Sequence, residues 1–420
     1  MKTGIHHQVK QSGYANLIEP KGAVLMNDLL ARVDARRVTE DRRYLHAHAE
    51  TGFDLPDTLT YVWQKLTEMG LTPRKCGRCG IVADIGTGEK CVLLRADMDA
   101  LAIREESGLT FASSNGCMHA CGHDMHTAML LEAARLLKAK EQKMDGRIRL
   151  MFQPAEEPLL GAADMLQNGL LDGVKPCAAF MIHVLTNLDL PAGTVIVSAP
   201  GVSAPAAGMF EIRIQGKGCH GAMPHSGVDP ITIAAHTVLN LQQIQTRELS
   251  LTQSCALTIG MLQAGDTANV IPDRAVLQGS LRAFDEETHQ YLIRRVGEIA
   301  VQTAALFRGT AEVEQLGGAP TLVNDEHLSC TTLSALRALL GEDKALLSSE
   351  LGGDAKKSSG SEDFANVSHA VPSLMVALAA GNPKDGYEYP AHHPRVRFDE
   401  SALPVGAAVY SAMALNALGQ

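Results

Sequence analysis

Residues 127–152 read TAMLLEAARLLKAKEQKMDGRIRLMF. Apolar residues recur at helical spacing over 127–137, a charged break containing Gly146 follows, and 148–152 is a short apolar run. A helix-sized pattern followed by a strand-sized one predicts a helix feeding a strand. Working outward, similar apolar runs bounded by turn residues stand at 91–94, 178–182 and 194–197. A second helical pattern covers 58–69 and stops at Gly70, and a third surrounds Leu29, Leu30 and Val33. Later, helical spacing returns over 331–340 and an apolar run over 373–379. Strands alternating with helices predict an α/β fold with a mostly parallel central sheet.

From about Ala206 the texture changes. Phe210, Ile212 and Ile214 alternate with polar residues, as in a strand wet on one face. A helix is expected over 229–244, strands over 255–263 and 275–284, and a second helix over 291–307. This strand-helix-strand-strand-helix order predicts a smaller α+β domain. The expected architecture has two domains. A catalytic α/β domain is built from 1–205 and 317–420, and the α+β domain is inserted at 206–316.

The chain has 420 residues, 45% hydrophobic and 20% charged, which is ordinary globular composition. At this length the core needs no disulfide or metal staple, so a bound metal would serve chemistry. Lys and Arg total 37 against 47 Asp and Glu, a net charge of −10 that disfavours nucleic acid and anionic membranes as partners. No apolar run reaches about 18 residues, so no membrane-spanning helix is expected. Residues 1–10 lack the apolar core of a secretion signal. Nine scattered cysteines read as reduced thiols, and a cytoplasmic location is expected.

The reactive residues follow the apolar runs. Asp97 and Asp99 come after 91–94, Glu156 and Glu157 after 148–152, and His183 after 178–182. Ligands of open α/β sheets bind outside the carboxyl ends of the strands, so three such ends point to one shared site. Residues 118–126, MHACGHDMH, pack three histidines, a cysteine and an aspartate just before a helix. Cys121 and His123 there could serve one cation or two adjacent ones. His392 and His393 form a second cluster. The adjacent Glu156 and Glu157 repel unless a cation neutralises one, which leaves the other free as general base.

Two patterns mislead. Gly216, Gly218 and Gly221 match a dinucleotide loop, but Pro224 blocks the helix that should open there and no acidic residue follows at the required distance. Cys76 and Cys79 with His48 and Glu50 suggest a zinc deaminase, yet Pro73 is misplaced for that pattern. The same two cysteines could be a redox pair, but nothing around them looks like a thioredoxin unit.

With these residues in hand, the chain resembles the aminoacylase/carboxypeptidase superfamily of metallopeptidases. It looks most like the amidohydrolase branch that holds hippurate hydrolase and the indole-acetyl-amino-acid hydrolases. The stretches that carry the likeness are LLRADMDAL (93–101), MHACGHDMHTA (118–128), FQPAEE (152–157), GKGCHGAMPH (216–225), NVIP (269–272) and GSEDF (360–364). The resemblance implies hydrolysis of N-acyl amino acids at two divalent ions per subunit (Zn, Mn, Co or Ni), with the inserted domain as lid and homodimer contact. It implies Cys121, His123, Glu157, His183 and His392 as ligands, with His393 an alternative to His392, and Glu156 as general base. It also implies His220 as an oxyanion donor that reaches the partner subunit's site, and Asn269 and Arg282 as holders of the substrate carboxylate. A deacetylase of the N-acetyl-diaminopimelate type, a dipeptidase or a carboxypeptidase on the same metals is the alternative. Pro158, Leu159 and Leu160 replace a glycine-rich run beside the metals, which leaves the substrate open.

Overall fold

The computed structural model describes residues 28–351 and 360–420. The reading of 1–10 and the start of the first domain lie outside them. The strands are β1 (Arg74–Cys76), β2 (Gly80–Ile85), β3 (Cys91–Asp97), β4 (Arg147–Gln153), β5 (Pro176–Leu185), β6 (Val195–Val197) and β7 (Gly201–Ala204). The inserted part adds β8 (Ala206–Gln215), β9 (Cys219–His220), β10 (Cys255–Ala264), β11 (Val270–Ile271), β12 (Arg274–Ala283) and β13 (Thr310–Ala319). The chain returns through β14 (Leu322–Asn324), β15 (Ala345–Leu347) and β16 (Ser373–Ala379). The helices that matter below are α1 (Ala35–Ala47), α2 (Pro56–Glu68), α3 (His123–Lys138), α4 (Pro230–Gln243), α5 (Glu286–Leu306), α6 (Glu326–Leu340) and α7 (Leu403–Leu418).

The large sheet has eight strands in the order β1-β2-β4-β3-β5-β16-β6-β15. Its middle, β4-β3-β5-β16, is parallel, while β1, β2 and β6 run antiparallel to inner neighbours. Every residue of β3 is buried, and its first four, Cys91 to Leu94, are the apolar run seen in the sequence. Helix α3 and the last helix, α7, pack together over this sheet in one apolar core. By length and composition Glu400–Leu418 could cross a membrane, contrary to expectation, but 72% of that window is buried inside the protein. It is a core helix, apolar all round. Its Tyr410 hydroxyl donates to the Arg95 carbonyl at 2.7 Å and accepts from the Ile182 N–H at 3.1 Å. It thereby wedges between β3 and β5 just beyond their last paired residues, Arg95 and Met181.

The inserted part forms a four-stranded antiparallel sheet, β10-β12-β8-β13, with α4 and α5 packed on it around their own core. Asp229 and Asp285 cap these helices, accepting from Ile231 N and Thr288 N, so α5 starts earlier than its apolar pattern suggests. Strand β13 has no counterpart in the sequence reading, because Glu312, Glu314 and Gln315 hide its alternation. It pairs with β8 as far as Ala319 opposite Ala207, past the expected exit at 316. Beyond the crossing, β7 pairs with β14, and Pro205 and Pro320 interrupt the two strands between the sheets. Each proline lacks a donor, so the ladder is broken where the chain passes between domains.

The misleading patterns have structural roles. Cys76 and Cys79 flank the β1–β2 hairpin, with Cys76 opposite Gly80. Their thiols donate to different carbonyls, Met165 and Phe53, and all nine cysteines are free. Gly221 donates to the Asn269 carbonyl where β9 meets β11.

Candidate metal centre

Strands β4, β3 and β5 are neighbours, and their carboxyl ends bring the reactive residues together. His183 lies within β5, opposite Ala377 of β16, rather than after the strand. Helix α3 begins at His123, four residues before its apolar pattern, so Cys121 and His123 straddle its first turn. Gly122 between them has φ +88, and a Cβ there would stand 2.4 Å from Val184 Cγ2. Only glycine allows this entry.

The ligating atoms of Cys121, His123 and His183 lie within 4.8 Å of one another, as do those of Cys121, Glu157 and His392. The two sets share the Cys121 thiol. His123, Glu156 and Glu157 form a third such set. Cys121 Sγ is 3.6 Å from His183 Nε2, and His392 Nε2 is 3.6 Å from Glu157 Oε2. His393 is engaged elsewhere: it stacks on Tyr389 and its Nδ1 accepts from Arg395 N. Nδ1 of His123 is 2.8 Å from the Asp99 carbonyl and Nδ1 of His183 is 2.8 Å from the Val184 carbonyl. Both rings therefore present Nε2 to the centre, the usual second contact of a metal-binding histidine.

The centre lacks internal compensation. Among the described residues, His123 Nε2 and Glu157 Oε1 are buried without a hydrogen-bond partner, 4.0 Å apart. Burial, then the nearby Glu362, raises Glu156 well above the usual carboxylate range. Burial lifts Glu157 to about 7 and the Cys121 thiol to about 12, in both cases against the pull of His123. Burial, with His126 beside it, lowers His183 to about 3. For His123 burial opposes the proton, but Asp97 and Cys121 outweigh it and the ring is raised. Buried acids held neutral beside an orphaned imidazole are what a cation at this point would correct. The donor set fits a borderline divalent ion.

The backbone here is strained. Ala155 (φ 51), Leu159 (φ 58) and His392 (φ 66) take left-handed conformations around the glutamate pair and the distal histidine. Such residues persist only where their surroundings hold them. Part of that hold is Asp99, whose two carboxylate oxygens accept from Glu156 N at 2.9 Å and Glu157 N at 3.2 Å.

Several supporting residues escaped the sequence reading. Arg95, fully buried, donates to Asp97, Glu362, Asp363 and Gln153. The signal was a lone arginine continuing an apolar run. His126 is no ligand in this arrangement: its Nδ1 is 2.6 Å from Asp97 and its Nε2 accepts from Val184 N, next to His183. Asp124 is held by Arg42 and His46, which anchors the start of α3.

The inserted-domain residues stand apart. His220 and Asn269 are exposed and adjoin through the β9–β11 pairing. Arg282 is half-buried on β12, its guanidinium donating to the Leu281 carbonyl. Among the described residues no hydrogen bond or ion pair joins these three to the centre.

Residues 93–416 match Peptidase family M20/M25/M40. The chain belongs to this family. It is 37% identical over 367 residues to the N-acetyl-L-cysteine deacetylase of Bacillus subtilis, covering 86% of this chain and 83% of that one. An IAA-amino acid hydrolase (ILR1-like 2) of Arabidopsis thaliana is 36% identical, covering 90% and 84%. Among solved structures, the YXEP protein of Bacillus subtilis, described as a dinuclear metal binding peptidase, aligns with a TM-score of 0.70 at 31% identity, covering 91% and 97%. As a member of the M20/M25/M40 peptidases the chain is an enzyme of amide hydrolysis, and its mostly parallel sheet with an inserted α+β domain is the fold expected above.

Proposed function

We propose that Cys121, His123, Glu157, His183 and His392 would hold two divalent ions and that Glu156 is the general base. The enzyme is a metal-dependent amidohydrolase that cleaves N-acyl amino acids to a carboxylic acid and a free amino acid. The observation that carries this reading is the convergence of five donors around the orphaned His123 Nε2 and Glu157 Oε1, with a sixth group, Glu156, left over. When bound, the ions supply Lewis acidity, polarising the scissile carbonyl and making water acidic. Glu156 accepts the proton of the attacking water and passes it to the leaving amine nitrogen. His220 reaches the partner subunit's site and donates to the developing oxyanion there, Arg282 and Asn269 pair with the α-carboxylate, and closure of the inserted domain completes these contacts.

The domain limits 1–205, 206–316 (with the end of β13) and 317–420 belong to the same proposal. Exposed Leu239, Val301 and Leu306 on α4 and α5, and Leu262 on edge strand β10, support a homodimer through the inserted domain. Nine free cysteines support a cytoplasmic setting.

The test is Glu156→Gln, assayed for amino-acid release from hippurate and acetyl-methionine, with metal content by elemental analysis. Full metal and a turnover loss of roughly 100-fold or more are expected. Wild-type turnover would overturn the base assignment.

A further inference from the structure

The loop that carries Glu157 rests on the crossing between the two domains. Strand β13 bulges there: Gln315 pairs with Phe210 and Gly317 with Met209, leaving Leu316 unpaired. A Cβ on Gly317 would stand 2.6 Å from the Pro158 carbonyl oxygen and 3.5 Å from Leu160 Cδ2. Pro158 directly follows Glu157. A second, independent contact has the same effect. Leu159, strained at φ 58, is buried in one apolar cluster with Ala204, Ala207, Ala319 and Leu322 of the crossing strands.

We propose that Gly317 is a positioning residue: the close approach it permits seats the Pro158–Leu160 turn on the crossing and so fixes Glu157 relative to Cys121 and His392. The bulge interrupts the β8–β13 ladder immediately before Gly317. Asp99 holds the start of the turn at Glu156 N and Glu157 N, and Leu159, Leu160 and Gly161 donate only within it, to the Glu156 and Ala155 carbonyls, so past Glu157 its outside support is the packing on the crossing. A shift of the inserted domain about Pro205 and Pro320 therefore moves a metal ligand, and domain position and metal affinity are linked. This inference rests on the ligand assignment of Glu157 made above.

The test compares Gly317→Ala with Gly318→Ala. A Cβ at Gly318 would meet the Ala207 carbonyl at 2.5 Å, straining the same strand without reaching the loop. Mn²⁺ alone is titrated into metal-stripped full-length protein by equilibrium dialysis, and kcat and KM for acetyl-methionine are measured separately. Gly317→Ala is expected to weaken binding of one ion by roughly 10–100-fold, as loss of an outer support does, while Gly318→Ala keeps wild-type affinity. Leu159→Ala introduces no clash and is expected to weaken the same ion should Gly317→Ala not fold. Equal affinities for the two glycine variants would overturn the proposal. Glu157→Ala distinguishes the two failures: if it retains both ions, the ligand assignment itself is wrong.

Discussion

Replacing Arg95 by Met removes the one guanidinium that meets Asp97 at 2.7 Å, Glu362 at 2.8 Å and Asp363 at 3.1 Å, with little change in volume. Burial already raises Asp363 to about 8 despite Arg95, and without the guanidinium burying the remaining charges is too costly, so a further carboxylate takes up a proton in the native state. An ordinary carboxyl titrates near pH 4, and each pH unit above that adds about 1.4 kcal/mol to the cost of protonating it. At pH 7.5 one forced protonation costs about 5 kcal/mol, close to the roughly 3–5 kcal/mol typical of breaking a buried pair. At pH 5.5 the cost falls to about 2 kcal/mol. The sign is fixed: the variant's native state binds a proton that its unfolded state lacks, so its stability falls as pH rises. Urea unfolding of both proteins at several pH values between 5.5 and 8 measures the difference. A loss that does not change with pH, or that stays below about 1 kcal/mol at pH 7.5, would refute the view that this cation compensates the buried acids.

Asp99→Ala frees the backbone of both glutamates and is expected to lower kcat/KM by about 100-fold, measured by steady-state kinetics on acetyl-methionine. Gly122→Ala combines a left-handed backbone with a clash on Val184 and is expected to cost about 2–4 kcal/mol, read from the urea midpoint. For His46 burial opposes protonation, but Asp124 and Glu105 prevail and raise its pKa. Its contribution to stability is therefore complete below the unfolded value of about 6.5 and lost as pH rises through the higher folded value. His46→Gln is expected to flatten that part of the pH–stability curve.

The parallel core was legible because β3, β4 and β5 are buried on both faces and leave apolar runs that need no partner to be seen. The candidate site was legible because Asp, Glu and His at three strand ends coincide with one His- and Cys-rich stretch, while the proposed ligand set came from the resemblance. What escaped was long-range. The contacts that hold Glu156 and Glu157 come from Asp99, 57 and 58 positions away, and from the crossing strands, while Arg95 reaches Asp363 across 268 positions, and no local pattern signals them. Strand β13 escaped because its outer face is acidic. The starts of α3 and α5 were set by Gly122 and Asp285, residues that apolar periodicity ignores.

The Tyr410 hydroxyl has a consequence for where the chemistry can sit. Two parallel strands bonded to their tips would leave their end residues at ladder spacing, too close for a pair of cations and a substrate between them. A single phenol takes the place of the rung after Arg95 and Met181, and the buried His126 ring then bridges Asp97 and the Val184 N–H beside His183. The carboxyl-terminal helix thus ends the direct pairing of β3 and β5 just short of Asp97 and His183.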